Sequence, residues 1–115
     1  MDTRTKIVSA AEAAKLAAAG ATVVSGYFDP LIASHAQRLA LLKRNGTPLL
    51  VLIATPDHPI LPARARAELV AGLGVVDHVA ELGGGITPQI QLELEDAARL
   101  ERLIEHVRAR QQAAS

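Results

Sequence analysis

LLVLI, residues Leu49–Ile53, is the stretch on which the fold turns. It is too short for a helix and apolar without alternation, so both faces of a strand built from it must be covered, as in the middle of a parallel sheet. Upstream, the segment 34–45 carries Ala36, Leu39, Ala40 and Leu42 at helical spacing, Lys43 and Arg44 in its last turn, and Asn45-Gly46 as a terminator. Before it, Thr22, Val23 and Val24 sit between Gly20 and Gly26, which predicts a buried first strand over 21–25. Strand, helix and strand make a βαβ unit. Further upstream, Ser9 followed by Glu12 matches a capping box, so the Ala-rich run 10–19 reads as a helix stopped by Gly20.

Downstream, the prolines of 55–62 demand a loop, 63–73 reads as a helix ending at Gly74, and Val75, Val76, Val79 and Ala80 mark a third strand. After Gly83-Gly84-Gly85, the residues Ile90, Leu92 and Leu94 alternate with Gln91, Glu93 and Glu95, which predicts an edge strand over 89–95. The connection from the third strand is shorter than the dozen or so residues a parallel crossover needs, so this strand is expected to form an antiparallel hairpin. Ala97, Leu100, Leu103, Ile104 and Val107 then define the apolar stripe of a C-terminal amphipathic helix.

The chain has 115 residues, which is room for one domain, over 1–115. Its 12 basic and 12 acidic residues cancel, which disfavours nucleic acid as a partner. No cysteine is present, so disulfides and thiolate chemistry are excluded and a reducing, cytoplasmic setting is expected. Glu12 and Lys15 interrupt the apolar start, which reads as no signal peptide, and no run approaches the roughly 20 apolar residues of a membrane span. His58, His78 and His106 lack metal-ligand spacing, so no metal site of the protein's own is expected.

The segment 23–35, VVSGYFDPLIASH, resembles the signature of the cytidylyltransferase-like nucleotidyltransferases, a strand followed by Gly-x-Phe-Asp, two residues, then His-x-Gly-His. Gly26, Phe28, Asp29 and His35 match, while Ile32 and Ser34 stand in place of the first histidine and the glycine. Lys6-Ile7-Val8-Ser9 looks like the entry to this domain in ADP-heptose synthase. Pro59, Ile60, Pro62, Arg66, Ala67, Glu68, Val76, Asp77 and Val79 match further family positions in order, so the resemblance covers about residues 6–80. It implies a three-layer, Rossmann-like α/β domain with a mainly parallel sheet, to which the residues add the antiparallel edge strand and the C-terminal amphipathic helix.

The resemblance also implies a chemistry. An acceptor phosphate attacks the α-phosphate of CTP or ATP in line and pyrophosphate leaves, with magnesium arriving on the nucleotide and a sugar phosphate or alcohol phosphate as acceptor. On that reading His35 and Ser34 are the catalytic candidates, and Ser25, Gly26, Tyr27, Phe28, Asp29 and Arg66 are the candidates for nucleotide or phosphate contact. The motif is damaged, however. Ile32 cannot hydrogen-bond developing charge, and losing one preorganised donor costs about 10²–10³ in rate. His58 replaces a family arginine, the loop between Thr55 and Pro59 is shortened past a family lysine, and nothing after Leu82 resembles the family's Ser/Thr-rich nucleotide motif.

Each candidate has a plainer reading as well. His35 could be a helix-start residue without a ligand, Asp29 a loop cap accepting backbone N–H groups, Phe28 core, and Arg66 an exposed helical arginine. Three functions follow: a catalytically degenerate domain that keeps weak nucleotide or phosphate binding, a working transferase, or a non-catalytic interaction module that forms a homodimer through its edge strand or last helix.

Overall fold

The structure is a computed structural model that describes residues 2–114, and within its last helix the side chains at 97–101, 103 and 110–114 lie outside the described residues. At its centre is strand β2, Leu49–Ile53, whose five residues are all buried. Strand β1, Thr22–Gly26, pairs with it in parallel from Thr22 against Leu49 to Gly26 against Ile53. Strand β3, His78–Glu81, pairs with its other edge, also in parallel. A two-residue strand β4, Ile90–Gln91, lies parallel to β1, and the sheet order is β3-β2-β1-β4.

Because strand side chains alternate, the unbroken apolar run of β2 supplies two cores. Leu49, Val51 and Ile53 point to one face with Val24 and Val79, beneath Leu39 of helix α2, Ala33–Leu42, and Ala67 and Val70 of helix α3, Ala63–Ala71. Leu50 and Leu52 point to the other with Val23 and Ala80, against Ala13 and Leu16 of helix α1, Ala10–Ala18. Helices therefore cover both faces of a parallel sheet, as the composition of β2 requires. Each fully buried aliphatic side chain contributes on the order of 1.5–3 kcal/mol.

Local signals set several boundaries. Ser9 Oγ accepts the Glu12 N–H at 3.2 Å and starts α1, and the chain leaves the helix through Gly20 at φ +102°. Helix α3 stops at Gly72, two residues before the expected end at Gly74. Helix α2 also ends early. Lys43 turns out of it at ψ 128°, and its Nζ reaches the Thr47 carbonyl and the Asp77 carboxylate. A tertiary contact thus claims the basic residue that the sequence places in the last turn.

Asp77 ties the sheet together from outside a strand. Its carboxylate accepts the Leu49 N–H at 2.7 Å while its own N–H donates to the Leu49 carbonyl at 3.0 Å. Burial works against its charge, but the hydrogen bonds from Lys43 and from Leu49 outweigh that and hold its carboxyl below the ordinary 3.8. A carboxyl depressed by folding stabilises the fold above its ordinary value and loses that contribution as pH falls through its folded value. Asp77→Ala is therefore expected to lower stability in urea titrations at pH 7 by about 1–2 kcal/mol, since it orphans a buried N–H. The gap from wild type should narrow below pH 3.8; a gap that is constant with pH would show that the carboxylate's charge is immaterial.

The expected antiparallel edge strand over 89–95 is replaced. Only Ile90 and Gln91 are strand, they pair in parallel with β1 at the edge opposite β3, and helix α4 runs from Leu92 to Ala114. Leu92 is buried and Leu94 exposed, which a shared strand face would not allow but helical rotation does. Acidic Glu93 and Glu95 in the first turn also suit a helix start. The short connection suffices because it is not helical. An extended chain advances about 3.3 Å per residue and strands lie about 4.8 Å apart, so residues 82–89 can recross the sheet. Gly83, Gly84 and Gly85 turn it at positive φ, and Ile86 packs on the α1 side of the sheet.

Of the expected apolar stripe on α4, Ala97, Leu100 and Leu103 lie outside the described side chains, and Ile104 and Val107 are exposed. Among the described residues no helix is long and apolar enough to cross a membrane.

Candidate functional site

Strands β1 and β2 end side by side, and the chain leaving β1 builds a cleft there. Phe28 takes a left-handed conformation, φ 49°, which folds its ring back over Gly26. A Cβ on Gly26 would stand 2.7 Å from two ring carbons, so the glycine is needed by the phenylalanine two residues on. The ring is 1% exposed and belongs to the core. It also meets the His35 ring edge-on, at 5.5 Å between centroids and 82° between planes.

Asp29 follows, and its two carboxylate oxygens accept the N–H groups of Ile60 at 2.6 Å and Leu61 at 2.7 Å. It fastens the loop after β1 to the loop after β2, the capping role that was one of its two readings. Arg66 completes this frame from α3. It is 1% exposed, with Nε donating to the Leu61 carbonyl at 3.1 Å and Nη1 to the carbonyls of Tyr27 at 3.1 Å and Ala54 at 2.6 Å. It is neither an exposed helical arginine nor a residue lining the cleft, because the loop carbonyls capture its guanidinium.

At the start of α2, His35 Nδ1 accepts the Ile32 N–H at 3.3 Å and Nε2 lies 2.9 Å from Asp96 Oδ2. An Nδ1 that accepts must be unprotonated, so Nε2 carries the proton and donates it to Asp96. Neither ring nitrogen has a lone pair left to serve as a base. The structural cause is local: the turn places the histidine at the third helical position, where its ring folds back on the residue preceding the helix.

The resulting cleft is about 400 Å³ and open at the carboxyl end of the sheet. Its walls are Tyr27, Phe28, Pro30, Ile32, Pro56 and Ile60, and its polar groups come from Asp29, Ser34, His35, His58 and Asp96. Ile32 and Ile60 are 51% and 76% exposed and form an apolar rim. Of the residues singled out in the sequence, Tyr27, Phe28, Asp29, Ser34 and His35 come together here, and Ser25, Gly26 and Arg66 lie outside the lining. Ser25 is fully buried, and its hydroxyl donates to the Glu93 carboxylate at 2.8 and 2.9 Å.

The residues that sequence reasoning missed are on α4. Glu93, Glu95 and Asp96 bond Ser25, Arg38 and His35. Reading 89–95 as a strand hid them. The signal was nonetheless present, because an acidic cluster just before Ala97-Ala98 is how a helix begins. For magnesium the fit is poor. Both oxygens of Asp29 are engaged, Asp96 is bonded to His35, and among the described residues no group of three or more His, Asp or Glu side chains is gathered that could hold a metal ion.

Compared with protein-family models and with curated proteins, the sequence matches none.

Proposed function

We propose that this chain is a Rossmann-like domain of the cytidylyltransferase-like type that no longer transfers nucleotides and binds a nucleotide or phosphate ester weakly in the cleft at the carboxyl end of its sheet. One observation carries the reading: the groups that transfer would draw on are committed to the scaffold. Arg66 holds three backbone carbonyls and His35 is bonded through both nitrogens. The cleft itself supports binding, since it lies at the strand ends, where open α/β sheets receive ligands, and beside the start of α2, whose dipole favours phosphate. The cysteine-free composition suits a cytoplasmic setting.

A thermal-shift panel of CTP, ATP, UTP and GTP, each with and without magnesium, tests it together with a pyrophosphate-release assay on a sugar phosphate. A nucleotide at ten times its Kd adds roughly 1.4 kcal/mol, or about 5 °C in Tm for a domain of this size. The expected result is a shift with at least one nucleotide, abolished by Ser34→Trp, and no pyrophosphate. Pyrophosphate above background would restore the transferase. A flat panel would end the nucleotide reading.

The exposure of α4 favours a second reading, an interaction module. Residues 104–109 are exposed one after another, and among them the helix presents Ile104 and Val107. A second copy of the chain would cover these apolar residues. Sedimentation equilibrium would then give a dimer for wild type and a monomer for Ile104→Glu/Val107→Glu.

A further inference from the structure

The first turn of α4 brings carboxylates to hydrogen-bond donors on β1 and α2, of which His35 lines the cleft. Glu93 accepts from the buried Ser25 hydroxyl, Asp96 from His35 at 2.9 Å, and Glu95 from Arg38 at 3.2 Å. His35 and Arg38 are one turn apart on α2, and the cleft lining includes no lysine or arginine among the described residues. Arg38 is a guanidinium one turn from His35 that is not locked into the frame, and a carboxylate of the same chain neutralises it.

These contacts differ in kind. Ser25 is fully buried, so its bond to Glu93 anchors the helix. The side chains of Arg38, Glu95 and Asp96 are 37%, 38% and 40% exposed and that of His35 12%, so the Arg38–Glu95 pair is open to water and weak, and water reaches the His35–Asp96 contact from the carboxylate side. Among the described residues beyond them, Arg102 and 104–109 are exposed. With the helix start anchored, the one ion pair and the hydrogen bond from neutral His35 can each be exchanged for a ligand contact by moving a solvent-reachable carboxylate, without unfolding the sheet.

We propose that Glu95 and Asp96 form an internal latch, occupying an anion site made by His35 and Arg38 that would otherwise take the phosphoryl group of a ligand in the cleft. The inference rests on the binding function proposed above and explains why that binding is weak. A phosphoryl group must displace two carboxylates and meets their repulsion while they remain.

Isothermal titration of inorganic pyrophosphate, CMP and AMP into wild type and into Glu95→Gln/Asp96→Asn tests it. Both substitutions keep side-chain shape, and far-UV circular dichroism checks that the fold is retained. The double variant is expected to bind pyrophosphate and at least one nucleotide no less than tenfold more tightly than wild type, and adding Arg38→Gln is expected to remove the gain. If wild type binds and the double variant binds no more tightly, the latch is overturned while the cleft's binding function stands. A gain that survives Arg38→Gln, or one absent with pyrophosphate, also overturns it, since the guarded group is phosphoryl and the freed cation is Arg38. If neither protein binds any of the three, both readings fall.

Discussion

Arg66→Ala is expected to destabilise the protein by about 3–5 kcal/mol, a large share of the 5–15 kcal/mol typical of a domain. The guanidinium is 1% exposed and donates to the carbonyls of Leu61, Tyr27 and Ala54. Removing it leaves acceptors with no donor and a void where a long side chain stood. Those carbonyls belong to the exit of β1, the exit of β2 and the loop leading into α3, so the loss also loosens the floor of the cleft. Arg66→Lys should recover little, because one ammonium cannot reproduce the planar fork that reaches carbonyls in different directions. Urea denaturation of the three proteins is the measurement. A change within about 0.5 kcal/mol for Arg66→Ala would mean that the side chain is an exposed group available to ligands.

Gly26→Ala has the next largest expected effect relative to its size. One methyl group meets the Phe28 ring at 2.7 Å, and that ring cannot retreat, because it is buried and its residue is already held at φ 49°. Overpacking of this kind costs about 1–3 kcal/mol. Phe28→Ala alone should cost about 3–5 kcal/mol through the cavity it opens. In the double variant the added methyl enters that cavity, so the two effects should fail to add by about 0.5–3 kcal/mol. Denaturant titrations of the four members of the cycle measure the coupling. Strict additivity would show that the glycine is needed for some reason other than the ring.

These two positions also show what the motif in 26–35 does in this chain. Gly26, Phe28 and Asp29 were legible as a unit only through their resemblance to a family signature, and each has an intramolecular job: room for a ring, the ring itself, and a clamp on Ile60 and Leu61. None of the three depends on a ligand to explain it. Arg66 was legible as part of the pattern, but its burial was not. Helical spacing places a residue on a face, and only the packed loops determine that carbonyls converge on that face.

The cleft was half legible. Tyr27, Ser34 and His35 belong to one local segment, and a strand end followed by a helix start brings them together whatever the rest of the chain does. Asp96, which holds His35, comes from a helix more than sixty residues away in sequence. Nothing in the local pattern around either residue encodes that pairing.

What the sequence determined by itself is the parallel centre of the sheet. A five-residue apolar run without alternation has no solvent face, so Leu49–Ile53 had to lie between two layers of helices, and the caps at Ser9 and Gly20 marked where one of those helices starts and stops. What only the tertiary structure decided is the fate of 89–95. The alternation of Ile90, Leu92 and Leu94 suits a strand and the acidic cluster at 93–96 a helix start, and the choice between these local signals fell to the free edge of β1. It accepts two residues in parallel and then, through Ser25 and His35, draws the acidic turn of α4 over the cleft. Local periodicity sets which side chains share a face. Whether that face meets a sheet edge or a cleft is set by long-range packing, which a short window of sequence does not contain.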